Sequence, residues 1–294
     1  MSVRVFETVA ADQQGISNAG WSLHYAQMSS GQFKGRLVEA ELGGVQVYEE
    51  HMNTRIEQYY KAPSDALVFS FDMSERALYL LDASTQNLWI TPENYREIAV
   101  VIRQDCLGAH HLHETFEELL LTPLTSPHAA LFSGWLSSML TRLSQQDDAE
   151  QARLLGEHLI EDCLFVLEQS DPARMGDACL RLAGQRKIVQ RVFEQVSAYP
   201  TENFSVVQLA DSARISFQQL RKAFNACVGM APTAWLRSRR LNLARQDLLT
   251  SHANETSVAD VAMRYSFWHL GRFAEAYREL FLEYPSQTLG RSLR

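Results

Sequence analysis

Several features that mark other protein classes are missing from this 294-residue sequence. No apolar run reaches about 18 residues, so the sequence predicts no membrane-spanning helix and no membrane partner. The N-terminus MSVRVFETVAADQQG has neither the basic start nor the apolar core of a signal peptide. We therefore expect a soluble, cytoplasmic protein.

Motifs of catalysis and of metal or disulfide frameworks are also missing. The four cysteines form no C-x-x-C pair, which is typical of reduced thiols. A glycine-rich phosphate loop, a G-x-S-x-G elbow and an H-E-x-x-H motif do not occur. These absences predict a protein that is not an enzyme and that carries no cofactor.

Charge is divided unevenly between the two parts of the chain, whose formal net charge is -8. Residues 185–294 hold 15 Lys and Arg against 9 Asp and Glu, a balance of +6, whereas residues 1–184 hold 12 against 26, a balance of -14. A polyanion would be attracted to the second part and repelled by the first. The distribution therefore favours nucleic acid as a partner of the C-terminal part.

Residues 34–103 have the pattern of short antiparallel strands. Gly43-Gly44 lies between two alternating runs and is a hairpin signal. The runs are GRLVEAEL, VQVYEEHM, ALVFSFDM, ALYLLD, LWIT and EIAVVIRQ. This series predicts a small antiparallel sandwich or barrel.

A helical period begins at His113 and continues to residue 169. Apolar residues recur at a spacing near 3.6 in residues 113–122, 128–145 and 148–169, which predicts three amphipathic helices. The stretch Gln169 to Gln185 contains Asp171-Pro172 and Gly176 and is typical of a junction between domains. We place the boundary near residue 180.

Residues 205–229 have the pattern of a helix-turn-helix unit. A short helix through Val206, Leu209, Ala210 and Ala213 is followed by a turn at Arg214-Ile215. Ser216 then caps a second helix, with Gln219 completing a capping box. This helix would bury Leu220, Ala223, Phe224 and Cys227 and expose Gln218, Gln219, Arg221, Lys222 and Asn225. Amide and cationic side chains suit base edges and phosphates of a major groove, although a solvated helix face has the same pattern.

The same pattern recurs about fifty residues later and predicts a second unit. Its first helix would be buried through Val258, Val261, Ala262 and Met263, and its turn is Tyr265-Ser266-Phe267. Its second helix would pack through Phe273, Ala276, Tyr277 and Leu280 and expose His269, Gly271, Arg272, Glu275 and Arg278. Gly271 and Glu275 offer little for base reading, so we expect this unit to position phosphates, chiefly through Arg272.

A long helix from Pro232 to Leu249 is predicted to connect the two units. Its apolar positions are Trp235, Leu236, Leu243, Ala244 and Leu248. A rigid connector would hold two reading helices in successive major-groove segments, about 34 Å apart. We expect Arg237, Arg239, Arg240 and Arg245 to supply phosphate contacts and one structural ion pair.

The run from Phe204 to Leu293 resembles the DNA-binding domain of the AraC/XylS family of bacterial transcription regulators. The matching landmarks are Leu209-Ala210, Ser216, Leu220, Phe224, Gly229, Arg240-Leu241, Ala244, Asp260-Val261-Ala262, Phe267, Phe273, Phe281 and Pro285. AWLRSRRLNLAR, FWHLGRFA and the N-terminal WSLHYAQMSSGQFKGRLVEAELGGVQVYEE are similar to the subgroup that contains the ethanolamine-utilisation operon regulator.

The resemblance implies an α+β protein with two parts. Residues 1–180 would hold a cupin-like β-barrel to about residue 110, which senses an effector, and dimerising helices between 113 and 169. Residues 181–294 would form an all-α domain of two helix-turn-helix units joined by a long helix. The implied partners are double-stranded DNA, RNA polymerase for an activator, a small-molecule effector and a second copy bound through helices 128–169. Arg240 and Trp268 join the DNA-binding residues.

The family's glycine positions are occupied by other residues at three turns. Arg214 and Ser266 occupy the turn of each unit, and Leu282 follows the last reading helix. Each side chain has to tolerate a positive φ or the turn has to adjust, at a cost on the order of 1 kcal/mol.

The effector is not identified by the sequence, and the subgroup implies ethanolamine and a cobalamin. Candidate lining residues of a barrel are Tyr48, His51, Arg55, Phe69, Phe71 and Trp89, although aromatic strand positions usually indicate packing. Two alternatives remain. A regulator controlled by a protein partner is one, and a metal-dependent cupin enzyme is the other.

The metal-dependent alternative depends on His111-x-His113 and Glu117, which have the spacing of a cupin metal motif. These residues follow the final predicted strand and precede a helix, where acidic residues favour the helix N-terminus. We therefore expect no metal site.

Overall fold

The computed structural model describes residues 3–14, 20–107, 119–143, 149–170, 177–199, 202–252 and 256–291. Nine strands occur within these residues, namely β1 Val3–Thr8, β2 Ser22–Gln27, β3 Gly35–Glu41, β4 Val45–Met52, β5 Ile56–Lys61, β6 Ala66–Asp72, β7 Ala77–Leu81, β8 Gln86–Ile90 and β9 Tyr95–Arg103. The α-helices are α1 Pro127–Leu143, α2 Ala149–Glu168, α3 Asp177–Ala198, α4 Val206–Ser212, α5 Phe217–Cys227, α6 Pro232–Thr250, α7 Val258–Arg264, α8 Leu270–Phe281 and α9 Pro285–Arg291.

The described strands form two antiparallel sheets. One sheet has six strands in the order β1-β3-β4-β9-β6-β7, and the other has three in the order β2-β5-β8. No ladder among the described residues joins them, so the barrel implied by the resemblance is not closed there and the two sheets form an open sandwich, the other predicted alternative. Closure would require continuous hydrogen bonding around the whole set of strands.

The six-stranded sheet is covered on both faces. Successive strand residues point to opposite faces, and all seven residues of β6 are buried. One face packs on α1 and α2 through a core that includes Phe69, Phe71, Leu136 and Leu159. The opposite face looks towards the three-stranded sheet and carries Tyr48 and Tyr79. The two helices therefore cover one side of the N-terminal part, and the smaller sheet covers the other.

The helices predicted over 128–145 and 148–169 are confirmed by α1 and α2. The helix predicted over 113–122 is wrong at its end, because Leu120 and Leu124 form isolated bridges to β7 at Leu80 and Leu78. Pairing with the backbone of an edge strand competes with the helix there. The remainder of that prediction lies outside the described residues.

The predicted junction 169–185 is helical from Asp177 onward, so residue 180 lies inside α3. Val189, Val192, Phe193 and Val196 form one buried stripe of this helix. The stripe packs with residues of α4, α5 and α6, which makes α3 part of the helical C-terminal core. The boundary near 180 stays a prediction.

Among the helices of the described residues, none combines the length and apolar composition needed to cross a membrane.

Candidate nucleic-acid interface and buried cavity

The first helix-turn-helix unit consists of α4, a turn and α5. The Ser216 hydroxyl accepts a hydrogen bond from the backbone N–H of Gln219 at 3.2 Å, and the Gln219 side chain accepts one from the backbone N–H of Ser216 at 2.8 Å. Arg214 adopts a φ of 54° in the turn, one of the two outcomes expected there. The predicted cap and turn are confirmed.

One face of α5 consists of solvent-exposed polar side chains. Leu220, Ala223 and Phe224 are completely buried, whereas Cys227 is half-buried. Gln218, Gln219, Arg221, Lys222 and Asn225 are all exposed. The Gln219 carbonyl oxygen is used by the cap, so only its amide N–H groups remain for a ligand. The helix therefore presents a rigid, cationic and amide-rich surface.

Removal of the Ser216 cap should destabilise the protein measurably. We expect Ser216→Ala to lower the free energy of unfolding by about 1 kcal/mol, because the backbone N–H of Gln219 loses its acceptor. Urea denaturation measures the change. Ser138→Ala, at an exposed position within α1, is the matched control and should shift the midpoint little. An equal shift in both variants would contradict the role of the cap.

The second unit consists of α7, a turn and α8. Ser266 has a φ of 61° in the turn, and Phe273, Ala276, Tyr277 and Leu280 are buried as predicted. Met263 was predicted to be buried and is 50% exposed. Successive residues of a helix are rotated by about 100°, so Met263 lies away from the stripe of Val261 and Ala262.

The exposed side of α8 differs from that of α5. Gly271, Arg272, Glu275 and Arg278 are exposed, and His269 begins the helix without a side-chain cap bond. Trp268, which precedes it, is 73% exposed. This surface offers two guanidinium groups, one imidazole and one large ring, and fewer amides than α5.

A buried polar network fixes the second unit to the connector α6. Arg245 forms an ion pair with Glu283, and both side chains are largely buried. The Thr288 hydroxyl donates to Glu283 at 2.8 Å and lies 2.7 Å from the Tyr277 hydroxyl. Leu282 closes α8 with a φ of 56°. Because Arg245 pairs with Glu283 inside this network, it is a structural residue and not one of the predicted phosphate contacts.

The four connector arginines have different surroundings. Arg239 forms an ion pair with Glu57 of β5 at 2.7 Å, so two of these four arginines form structural ion pairs where one was predicted. Arg237 is exposed. The Arg240 guanidinium lies 5.3 Å from the Phe267 ring, and its Nε is buried without a partner among the described residues. Arg237 and Arg240 remain available for phosphate.

The connector follows its predicted course, with one core position missed. α6 begins at Pro232, and Trp235, Ala244 and Leu248 are buried as predicted. Leu241 is also buried, whereas Leu243 and Leu236 are half-buried.

The C-terminal helices rest on the outer face of the three-stranded sheet. The Trp235 indole N–H donates to Glu57, and Asn242 exchanges hydrogen bonds of 2.7 and 3.1 Å with the backbone of Gln27. Arg55 donates to the carbonyl of Gly229 at 2.9 Å. Arg55 therefore belongs to this contact, which we call the dock, and not to an internal cavity. Ala26, Met28, Leu88 and Ile90 share one apolar core with Phe193, Phe224 and Trp235.

A cavity lies between the two sheets. Its empty volume is about 600 Å³, a figure that includes the space open to solvent. Half of the described lining residues are aromatic. The lining residues are Trp21, Leu23, Tyr25, Tyr48, Glu50, Gln58, Tyr60, Ser70, Tyr79, Leu81, Trp89, Tyr95, Glu97 and Leu121. Tyr48 and Trp89 were among the predicted candidates.

The other predicted lining residues lie elsewhere. Phe69 and Phe71 point to the helix-covered face of the large sheet. His51 follows Glu50 on β4 and therefore points away from the cavity, on the face where its neighbour Glu49 pairs with Arg96. Glu50, Gln58 and Glu97 were missed, because a polar residue within a strand is usually solvent-facing.

Two buried carboxylates face each other across β4 and β9 in the cavity wall. Glu50 and Glu97 are register partners. Glu50 accepts from Gln14 at 2.9 Å and Gln58 at 3.0 Å, and Glu97 accepts from Ser70 at 2.6 Å. Burial raises the pKa of Glu50 to about 6, and burial together with the Glu50 charge raises the pKa of Glu97 to about 7. These groups hold ionisable protons near neutral pH.

Metal ligands do not cluster in the part of the chain that the structure describes. The His111, His113 and Glu117 motif lies outside the described residues.

Comparison with known proteins shows that the C-terminal part is similar to helix-turn-helix domains of transcription regulators. Residues 209–291 match the model of a helix-turn-helix domain. The XylDLEGF operon transcriptional activator 2 of Pseudomonas putida is 41% identical over 33% of this chain and 64% of its own length. The probable thc operon regulatory protein of Rhodococcus erythropolis is 30% identical over 53% of this chain and 48% of its own length. A probable AraC family transcriptional regulator of known structure from Rhodopseudomonas palustris is 33% identical over 36% of this chain and 97% of that chain, with a TM-score of 0.34.

The chain spans less than a third of the length of some of the curated relatives that it matches. The chain spans 31% of the XylDLEGF operon transcriptional activator 1 of Pseudomonas putida, to which it is 38% identical over 35% of its own length.

Proposed function

We propose that this chain, which carries a helix-turn-helix DNA-binding domain of the AraC type, is a cytoplasmic activator of transcription whose DNA binding responds to a small molecule in the cavity. The observation that carries the proposal is the exposed, capped face of α5. Gln218, Arg221, Lys222 and Asn225 are exposed there on a helix that buries Leu220, Ala223 and Phe224 on its opposite side. Such a helix fits the major groove.

In this proposal the two units divide the work of DNA recognition. α5 reads base edges, whereas α8 positions phosphates through Arg272, with Trp268 and His269 beside it. The connector α6 holds both helices on one face of double-stranded DNA, in successive major-groove segments of a direct repeat. Arg240 fits this assignment, because the residue is half-buried, forms no ion pair among the described residues and carries a guanidinium group that suits a phosphate oxygen.

Replacement of Arg221 tests the proposed reading helix. We expect Arg221→Ala to weaken binding to a selected site by about 1–3 kcal/mol and to relax the preference at one base position. Fluorescence anisotropy with the selected site and with single-base variants measures both effects. Arg142→Ala removes an exposed arginine from α1 and is the charge-matched control. Equal weakening on every sequence would assign Arg221 to phosphate, and unchanged binding would remove α5 from the interface.

The proposed effector response runs through the three-stranded sheet. Gln58 lines the cavity, while its neighbour Glu57 points outward to Trp235 and Arg239. Trp89 also lines the cavity, and the Arg186 guanidinium of α3 lies 5.3 Å from its ring. A ligand that moves these strands would therefore move the helices of the first unit. This requires that the ligand bind with different affinity when the helices contact the sheet and when they have separated from it.

A second copy of this chain is the proposed partner of α1 and α2, and RNA polymerase is the proposed partner of the activator. Leu131 and Trp135 of α1 and Phe165 of α2 are 74%, 45% and 51% exposed, which supports an apolar interface on this side. Ethanolamine and a cobalamin remain predictions of the narrower subgroup resemblance.

A further inference from the structure

The cavity holds two carboxylates that lack a cationic partner among the described lining residues. Glu50 and Glu97 are 2% and 9% exposed, and they occupy paired positions on neighbouring strands. Their hydrogen-bond donors in this wall are the neutral groups of Gln14, Gln58, Ser70 and Tyr95. No Lys, Arg or His is among the described residues that line the cavity. Like charges opposite each other in a sheet are destabilising, so a positive charge bound between Glu50 and Glu97 would stabilise this wall.

The remaining walls are built from aromatic rings. Trp21 packs edge to face on Tyr48 and Tyr60, with ring centroids 6.3 and 6.5 Å apart, and Tyr79 packs on Trp89 at 5.5 Å. The face of an aromatic ring attracts a cation that lies within about 6 Å of its centroid. Arg186 already uses the outer side of this wall in that way, 5.7 Å from Tyr79 and 5.3 Å from Trp89.

Two donors in the same walls are also unsatisfied. The indole N–H groups of Trp21 and Trp89 are buried and have no acceptor among the described residues. A buried donor without an acceptor is costly, so an oxygen of a bound molecule would stabilise this arrangement. Among the described lining residues, the two carboxylates thus have no cationic partner and the two indole N–H groups have no acceptor.

We infer that the cavity binds a small organic cation, an amine or quaternary ammonium ion, between Glu50 and Glu97 and the aromatic walls. This inference rests on the proposed effector role of the cavity and adds the chemical class of the effector. A carboxylate ligand would be repelled by the same pair, and a neutral ligand would leave it uncompensated. The cation replaces the missing partner of the two carboxylates.

Binding of the cation should strengthen as the pH rises through the carboxylate pKa values. The pKa is about 6 for Glu50 and about 7 for Glu97, so both are ionised only at mildly alkaline pH. Asp72, beside Glu97 on β6 and near Arg186, has a pKa of about 6 and adds to this trend. The lining tyrosines Tyr25, Tyr48, Tyr79 and Tyr95 have raised pKa values because they are buried, and they stay neutral.

Three probes of one shape test the inference on the full chain. Benzylammonium, benzyl alcohol and benzoate differ in charge, and tetramethylammonium adds a compact quaternary ion. By calorimetry at about pH 8 we expect at least one ammonium ion to bind, and to bind at least tenfold more tightly than the alcohol or benzoate. Glu50→Gln with Glu97→Gln should weaken ammonium binding at least tenfold, and Glu93→Gln, an exposed control, should leave it unchanged.

Several results would overturn the inference. These are equal or tighter binding of benzoate or benzyl alcohol, undiminished ammonium binding by the double variant, or no ammonium binding at about 10 mM. DNA binding by the same samples without probe distinguishes this failure from a failure of the proposed function. Retained DNA binding without ammonium binding rejects only the ligand class. Ammonium binding without sequence-selective DNA binding rejects the proposed function and leaves the cation site standing.

Discussion

Trp235→Ala will lower the free energy of unfolding by about 3–5 kcal/mol. Trp235 is completely buried where the core of the first unit meets the three-stranded sheet, and its ring contacts those of Phe193 and Phe224 at centroid distances of 5.1 and 5.3 Å. Truncation leaves a large cavity there and removes the indole donor from Glu57. Urea denaturation followed by circular dichroism measures the loss.

Trp235→Phe separates packing from the hydrogen bond in the same experiment. Phenylalanine keeps most of the ring volume, while Arg239 still pairs with Glu57, so we expect a cost of about 1–3 kcal/mol. A loss below about 1 kcal/mol for Trp235→Ala would show that the helices do not rest on the sheet through this core.

Glu97→Gln will make the protein without ligand more stable above pH 7, by roughly 3 kcal/mol at most. Burial first and the Glu50 charge second raise the pKa of Glu97 from 4.5 to about 7 in the folded protein. Between these two values the folded state holds a proton that the unfolded state has released. Wild-type stability should therefore fall as the pH rises from about 4.5 to about 7, and the amide removes this contribution.

Thermal denaturation of both proteins across this pH range measures the difference. The gap between variant and wild type should narrow towards pH 4.5 and close below it, where the Glu97 carboxyl is protonated in both states. Glu93→Gln changes the same chemical group at an exposed site and should show no such pH dependence. A variant less stable than wild type at alkaline pH would mean that the Glu97 charge is compensated within the protein.

Local signals made the first unit predictable from sequence. The Ser216 and Gln219 pair lies within one turn of helix, and the apolar spacing of α5 needs no distant partner. The family resemblance, which implies glycine at Arg214, Ser266 and Leu282, led to the expectation that these residues adopt a positive φ or that the turn adjusts, and all three have a positive φ.

The cavity was less predictable, because its residues depend on contacts that are remote in the sequence. Since both faces of β6 are covered, its apolar residues do not alternate, and nothing local separates the core residue Phe69 from the lining residue Ser70. Glu57 was missed for a similar reason. Its partners Trp235 and Arg239 follow it by 178 and 182 residues.

The connector arginines show the same limit. Arg237 and Arg245 are identical side chains in one amphipathic helix, yet the first is exposed and the second is buried against Glu283. Only the packing of α8 and α9 on α6 separates a candidate phosphate ligand from a structural residue.

Selection of fragments from total genomic DNA by the purified protein tests the central claim most directly. We expect the wild type to enrich a small set of fragments that share a direct repeat, with half-sites one helical turn apart. The variant that combines Arg221→Ala with Lys222→Ala should lose that enrichment and keep weak, salt-sensitive binding to bulk DNA. Enrichment of the same fragments to the same extent by this variant, or no preference of the wild type for any fragment, would contradict the assignment of α5 as the reading helix.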